Sequence, residues 1–191
     1  MLLILPTVRE RRKTRLQRGH PILQIDIEPL QFLREAEIRG AQDMLFFAYR
    51  DFTNAADVIL DELGLGRAHH RVLHFVGRNA GMSVGDLLDI LRITKQSLAR
   101  VLGALVDDGY IAQIQGRSDR RQRLLTLTEK GADLERRLYE RQRERIVQAY
   151  RDAGSGAVDG FRRVMRGIMD EEARRYADRA DTPRDPGAGK A

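Results

Sequence analysis

The sequence predicts a mainly α-helical fold that carries one small β-hairpin. Apolar residues recur at helical spacing through most of the chain, and only five prolines interrupt it. One stretch departs from that period, because residues 117–128 place an arginine-rich segment directly before an alternating apolar run. At 191 residues the chain is long enough for one compact domain with tails.

Two helices are expected before the middle of the chain. The first would run from about residue 29 to 62, and Gly40 weakens its middle. Its apolar positions are Phe32, Leu33, Ala36, Met44, Phe47, Phe52, Ala55, Val58 and Ile59. The second would run from about Ala68 to Arg78, where Asn79-Ala80-Gly81 ends it.

A pair of short helices with a tight turn between them is expected next. Ser83 and Asp86 have the spacing of a capping box ahead of the first helix, and Thr94 offers an N-cap for the second. Apolar residues recur at helical spacing in the second helix at Leu98, Val101, Leu102, Leu105 and Val106. Gly109 would supply its left-handed cap. The pair is predicted to be a helix-turn-helix.

The basic hairpin follows this pair directly. Within seven residues it carries four arginines, Arg117, Arg120, Arg121 and Arg123. Leu125 and Leu127 on its return strand would face the core. Arginine suits phosphate better than a hydrophobic partner. The order of helix, helix and basic hairpin predicts a winged helix-turn-helix lobe over residues 67–128.

The second helix of the pair would be the recognition helix in the major groove. With its leucines buried, the residues that point mostly away from the core are Lys95, Gln96, Ala99, Arg100 and Gly103. Glutamine can pair with adenine and arginine with guanine, whereas wing arginines would reach phosphates or a minor groove. Small residues at 99 and 103 would let the helix approach the groove floor.

These residues resemble the MarR family of bacterial transcription regulators. The match rests on Asp119-Arg120-Arg121 followed by Leu125-Thr126-Leu127-Thr128-Glu129-Lys130-Gly131, which is similar to the family's wing pattern. Supporting similarity lies in His70-Arg71-Val72-Leu73 and in Leu105-Val106-Asp107-Asp108-Gly109-Tyr110-Ile111. The resemblance spans about residues 30–178, and the segment 68–74 is most similar to the PetP-type subgroup.

The resemblance implies an obligate homodimer in the bacterial cytoplasm that binds a pseudo-palindromic operator in double-stranded DNA, usually as a repressor. Carried onto this sequence, it implies DNA contacts from Thr94, Lys95, Gln96, Ser97, Arg100, Arg117, Ser118, Arg120, Arg121 and Arg123. Lys95 could face phosphate or solvent instead. Asp119 would orient Arg121 rather than touch DNA.

The resemblance also implies a small-molecule effector that binds between the dimer helices and the winged lobe. The side chains that could line such a cleft are Phe46, Phe47, Tyr49, Arg50, His70 and His74. The same residues could equally belong to the core. Binding of an effector would weaken the affinity for DNA, because the effector would bind two states of the protein with different affinities.

The dimer is expected to form through helices at both ends of the chain. After the wing, Thr128 would cap a helix with apolar residues at Leu134, Leu138, Ile146, Val147 and Tyr150. Gly154-Ser155-Gly156 would break it, and a final helix would present Val158, Phe161, Val164, Met165, Ile168 and Met169. We expect these apolar stripes to serve both the intramolecular core and the two-fold interface.

The predicted organisation has five segments. They are a basic extension (1–28), a dimerisation helix (29–66), the winged lobe (67–128), C-terminal dimerisation helices (129–180) and a flexible tail (181–191). The extension contains Arg9, Arg11, Arg12, Lys13, Arg15 and Arg18. It could track phosphates or enter a minor groove, or it could be a disordered extension of no consequence. Residues 22–27 have strand-like alternation.

Composition narrows the function further. A net charge of +6 favours a polyanionic partner. The absence of cysteine excludes thiol redox sensing, disulfides and thiolate metal sites. No apolar run reaches the ~20 residues of a membrane span. No phosphate-binding glycine loop, nucleophile elbow or HExxH helix is present, so neither an enzyme nor a cofactor is expected.

Three alternatives stay open from the residues alone. His70 and His74 stand four apart and could bind a metal or haem, although no third ligand has a recognisable spacing, so no metal is expected. A non-specific architectural DNA binder would show a small specificity ratio. A winged-helix protein-interaction adaptor would show no salt-sensitive affinity for DNA.

Overall fold

The structure, a computed structural model, describes residues 34–116 and 119–181. Within them the elements are α1 (Glu35–Glu62), α2 (Arg67–Arg78), β1 (Met82–Ser83), α3 (Val84–Leu91), α4 (Lys95–Asp107), β2 (Ile111–Gln115), β3 (Arg123–Leu127), α5 (Glu129–Ala153), α6 (Ser155–Ile168) and α7 (Glu171–Asp181). The prediction of a mainly α fold with a small β-wing is confirmed. Residues 1–33, 117–118 and 182–191 lie outside the described residues. They include the basic extension, the predicted beginning of the first helix at residue 29 with Phe32 and Leu33, and Arg117 and Ser118.

The chain divides at Asp43 into two units. In the first, the described residues 34–43 contain the beginning of α1, where Arg39 pairs with Glu35 one turn earlier at 2.7 Å. The second unit, Met44–Ala191, contains the sheet and the other helices. The predicted boundaries of the five segments remain a prediction.

The helix-turn-helix prediction is confirmed, with α3 and α4 as its two helices. Ser83 Oγ accepts a hydrogen bond from the backbone N–H of Asp86 (3.1 Å), and the Asp86 carboxylate accepts one from the N–H of Ser83 (2.9 Å). Gly109 has a φ of 73° just after α4, the left-handed cap that its position predicted. Local capping thus fixes where both helices begin and where α4 ends.

A three-stranded antiparallel sheet in the order β1-β3-β2 completes the lobe. The β2–β3 hairpin is the predicted wing, and Leu125 is fully buried as expected. The strand β1 was not predicted, because two residues are too few to show alternation. It pairs with β3 through Met82 opposite Leu125 and Ser83 opposite Leu124.

One core joins the lobe to α1 and α5. Its fully buried side chains include Leu60, Leu73, Val76, Leu87, Leu98, Leu105, Ile111, Leu125 and Leu138. On α1 the buried residues are Thr53, Ala56 and Leu60. The expected apolar positions Met44 and Val58 are exposed instead. The core therefore takes a different face of α1 from the one that its largest apolar residues suggested.

The C-terminal region differs from the single final helix that was expected. The predicted break at Gly154 is present, with a φ of 78°. A second break follows α6, because Met169 is extended and the Asp170 carboxylate accepts a hydrogen bond from the N–H of Ala173 (2.9 Å), which begins α7. Met169 thus lies outside the helix in which it was placed, and α7 reaches Asp181, which was assigned to the tail.

None of the helices in the described ranges combines the length and the apolar character that crossing a bilayer requires.

Candidate nucleic-acid interface

Helix α4 has one buried face and one face open to solvent. Leu98, Leu102 and Leu105 anchor the buried face. Gln96 and Arg100 are exposed and lie one turn apart on the opposite face. Gly103 continues that row, and a Cβ added there would have no neighbour within 4 Å. The outward face therefore has two long polar side chains followed by open space beside bare backbone.

Thr94 and Ser97 at the beginning of α4 bind each other. Thr94 Oγ1 accepts a hydrogen bond from the N–H of Ser97 (3.1 Å) and donates one to Ser97 Oγ (2.9 Å). These contacts cap the helix, which is a structural role for both hydroxyls. Contacts from either residue to DNA stay a prediction. Lys95 is exposed in the same turn.

The wing tip is a hydrogen-bonded turn built by Asp119. The N–H of Gln122 donates to the carbonyl of Asp119 (3.0 Å), and Gln115 Nε2 donates to the carbonyl of Arg120 (2.9 Å). The Asp119 carboxylate accepts a hydrogen bond from the backbone N–H of Arg121 (2.9 Å). Aspartate is favoured at the first position of such a turn for this reason.

The turn exposes Arg120 and Arg121 at its two central positions. The family resemblance implied that Asp119 orients Arg121. The contact that the structure shows is made to the backbone amide of Arg121. Arg123 is exposed at the beginning of β3, opposite Gln115. Arg117 and Ser118, which were also expected to contact DNA, lie outside the described residues.

Many arginines of the molecule pair with a carboxylate, whereas the basic side chains of α4 and the wing do not within the described residues. Elsewhere, Arg67 pairs with Asp57 (2.6 Å), and Arg136 pairs with Asp133 (2.6 Å). Across residues 34–116 and 119–181, no carboxylate pairs with Lys95, Arg100, Arg120, Arg121 or Arg123. These five side chains, here called the free cations, are available for a polyanion.

The residues predicted to bind an effector fall into two groups. Phe46, Phe47 and Tyr49 are exposed on α1, and the guanidinium of Arg50 lies 4.9 Å from the centroid of the Phe47 ring. Arg50 also pairs with Asp51 (2.9 Å). The two histidines are half-buried on α2 instead. The α1 group forms an exposed aromatic surface.

Among the histidines of the described residues, His74 has the most perturbed environment. Burial, followed by the charges of Arg78 and His70, lowers its pKa to about 4. Its Nδ1 lies 3.8 Å from a carboxylate oxygen of Glu135 on α5, whose own pKa burial raises. Burial also lowers the pKa of His70. Nowhere in the described ranges do three His, Cys, Asp or Glu side chains form a group that could hold a metal ion.

A cavity of about 770 Å³ lies beneath α7. Its lining includes Phe75, Asn79, Ile90, Arg92, Met169 and Tyr176. Arg92 sits in the turn between α3 and α4 and pairs with two acids near the beginning of α7. None of this was predicted from the sequence. Asp170 followed by Glu171 and Glu172 is a helix N-terminal signal that could have revealed α7.

The chain is similar in sequence to a known protein family and to one of its curated members. The profile of the MarR family matches residues 63–122. The chain is 51% identical over 149 residues to the HTH-type transcriptional regulator PetP of Rhodobacter capsulatus, covering 78% of this chain and 90% of that protein.

Solved structures share the fold. A putative MarR family transcriptional regulator from Listeria monocytogenes, in complex with 26mer DNA, has a TM-score of 0.59 and 21% identity, covering 73% of this chain and 90% of that one. NadR in complex with 4-hydroxyphenylacetate has a TM-score of 0.57 and 20% identity, covering 72% and 90%. Together with the extended identity to PetP, these findings show that the chain belongs to the MarR family of winged-helix transcriptional regulators.

Proposed function

We propose that the protein is a homodimeric repressor that binds a pseudo-palindromic operator in double-stranded DNA and that a small molecule releases it. The observation that carries this proposal is the set of free cations on α4 and the wing. Solubility, or binding of an acidic protein, would not require these cations to lie on the second helix of a helix-turn-helix and on the wing that follows it. We propose no catalytic role, since the relatives are transcriptional regulators.

Sequence would be read by α4 and phosphate would be bound by the wing. Gln96 and Arg100 can each make two hydrogen bonds to a purine edge in the major groove. The open space at Gly103 would allow the backbone of α4 to approach the bases. Arg120, Arg121 and Arg123 would fix the lobe on the backbone, and Arg117 and Ser118 would contribute from the same wing. Thr94, Lys95 and Ser97 would support the contact at the beginning of α4.

The proposed dimer rests on apolar surface that is exposed to solvent in one copy of the chain. Helix α6 contains no buried residue, and its Phe161, Val164 and Ile168 are all more than half exposed. Patches of this kind mark an interaction surface. A second copy would cover them with two-fold symmetry. Two recognition helices would then meet successive major grooves, ~34–36 Å apart.

The ligands of two similar solved proteins support the proposal that this chain binds DNA and a small molecule. The Listeria monocytogenes protein was solved with 26mer DNA, and NadR with 4-hydroxyphenylacetate. We propose a small aromatic or anionic effector for this chain, with contacts drawn from Phe46, Phe47, Tyr49, Arg50, His70 and His74. Such a ligand would act by binding the DNA-free state more tightly.

Selection from a random duplex library by the purified full chain tests the proposal. Enrichment of one two-fold symmetric motif would support a sequence-specific dimer. Salt-sensitive binding without an enriched motif would favour the architectural DNA binder, and no binding would favour the adaptor. Reporter expression from the selected site, with and without the protein, would then test whether it represses.

A further inference from the structure

Arg92 occupies an unusual backbone conformation at a central place in the lobe. It is the residue after α3, two residues before the Thr94 cap of the recognition helix, and its φ is 50°. Within the described residues it is the one non-glycine residue with positive φ. Its backbone N–H donates to the carbonyl of Leu88 (2.8 Å). A side chain is sterically disfavoured in this conformation, and glycine fits it better.

The side chain of Arg92 reaches away from its own helices to α7. One guanidinium nitrogen lies 2.6 Å from the Asp170 carboxylate, and the other lies 2.5 Å from the Glu172 carboxylate. These partners are 78 and 80 residues away in sequence. Both acids raise the pKa of Arg92, Glu172 most strongly. The turn before the recognition helix is therefore tied to the C-terminal helix.

A second contact holds α7 against the lobe at the end of α2. Asn79 Nδ2 donates a hydrogen bond to Tyr176 Oη (2.8 Å), and the Tyr176 ring packs edge-on against Phe75 with centroids 5.5 Å apart. At its other side α7 is joined to α6, where Arg166 pairs with Asp178 (2.8 Å). Helix α7 thus links α6 to the helix-turn-helix.

Stability alone does not explain an arginine at position 92. All three side chains of the ion pairs are at least half exposed, and such exposed pairs contribute little to the free energy of folding. The left-handed backbone would also be less strained with glycine. What the arginine provides, and glycine would not, is a direct contact between the turn and the two acids at the beginning of α7.

We propose that Arg92 is a positioning residue for DNA recognition. Through Asp170 and Glu172 it fixes the direction in which α4 leaves the turn, relative to α7 and α6. In a dimer formed through α6, that direction sets the separation of the two recognition helices and so the operator half-site spacing that the protein accepts. This inference rests on the proposed function.

The test uses the full chain with two variants that break the link differently. Arg92→Gly removes the side chain and relieves the backbone, whereas the double variant Asp170→Asn with Glu172→Gln removes both charges and keeps a capping residue for α7. Arg143→Ala is the matched control, because Arg143 pairs with Glu140 (3.3 Å) within α5.

Affinity is measured for duplexes that carry two selected half-sites with spacers that differ by single base pairs. The wild-type chain and the control are expected to prefer one spacing. In both link variants the ratio between the preferred and the neighbouring spacing falls at least about five-fold. A residue that only supported the fold would lower all affinities together and leave this ratio unchanged, and that result would overturn the proposal.

Hydrogen exchange without DNA provides the independent measurement. In both link variants the amides of α7 and the amides of Ser97 and Leu98, which donate to Thr94 at the beginning of α4, are expected to lose protection together. Loss in α7 alone would overturn the proposal even if operator binding were intact. If the wild-type chain selects no sequence, the proposed function fails, and the exchange result still decides whether Arg92 couples α7 to α4.

Discussion

Gly131 at the beginning of α5 lies directly against the carbonyl oxygen of Tyr110, where an added Cβ would come within 2.0 Å of that oxygen. Thr128 holds the same junction, since its Oγ1 accepts a hydrogen bond from the N–H of Gly131 (3.0 Å) and donates one to the carbonyl of Gly109 (2.7 Å). The end of the wing and the beginning of α5 are thereby packed onto the residues that follow the recognition helix.

Gly131→Ala is expected to lower the free energy of unfolding by about 1–3 kcal/mol, because the methyl group would displace backbone rather than a flexible side chain. Gly103→Ala is the control, since the added Cβ meets nothing and alanine favours a helix interior by up to ~1 kcal/mol. Urea unfolding at one protein concentration measures both. Equal stability of the two variants would contradict the close packing at Tyr110.

Arg100→Ala and Arg120→Ala are expected to weaken DNA binding in different ways. Arg100→Ala should lower operator affinity by about 1–3 kcal/mol and relax the preference at one base pair. Arg120→Ala should weaken operator and random DNA about equally and reduce the salt slope by about 1. Titrations of both variants on operator and scrambled duplexes measure the difference, and equal losses on both duplexes for both variants would reject this division of roles.

The stability of the protein is expected to fall in mild acid because of His74. Its pKa is about 4 in the folded state against 6.5 for an ordinary histidine, so the unfolded state binds the proton more tightly. The stabilisation is full above pH 6.5 and is lost as the pH falls from 6.5 toward 4. With 39% of the side chain exposed, we expect a loss of about 1–2 kcal/mol. Glu135 is the carboxylate that faces it.

Urea unfolding across this pH range measures that loss in the wild-type chain and in His74→Gln, which should reduce it and leave the smaller part that comes from the lowered pKa of His70. His69→Gln is the control from the same helix, because His69 accepts a hydrogen bond from the N–H of Gly66 (3.0 Å) and glutamine can keep this cap. An unchanged pH dependence in His74→Gln would show that other groups cause it.

A charge on the apolar face of α6 is expected to dissociate the dimer. Val164→Asp would place a carboxylate in the proposed interface, where its desolvation opposes association. Arg163→Asp, about 100° around the same helix from Val164 and outside the row of Phe161, Val164 and Ile168, should leave the oligomeric state unchanged. Sedimentation velocity compares the variants, and a wild-type chain that remains monomeric at micromolar concentration would refute the proposed dimer.

Local signals explain the parts of the fold that the sequence predicted. Ser83, Thr94 and Thr128 each accept a hydrogen bond from the backbone of the helix that they cap, so their positions mark where these helices begin. The wing was predictable because arginines at a turn precede an alternating strand. Gly131 belongs to the same pattern, and the structure gives its reason in the contact with Tyr110.

The parts that were missed depend on contacts between distant residues. The pairing of Met82 with Leu125 joins strands that are far apart in sequence, and a strand of two residues has no pattern of its own. The ion pairs of Arg92 have the same cause. The break before α7 lacks glycine or proline, so an apolar stripe that included Met169 suggested a single helix.

Recognition of a specific operator is decided by the affinity of the full chain for the intergenic DNA upstream of its own gene, compared with a scrambled duplex across a salt series. We predict salt-sensitive binding with one dimer per site and a preference of about 10³ or more for the native duplex. Equal affinity for both duplexes at every salt concentration, or affinity that does not change with salt, would contradict sequence-specific recognition of this DNA by α4 and the wing.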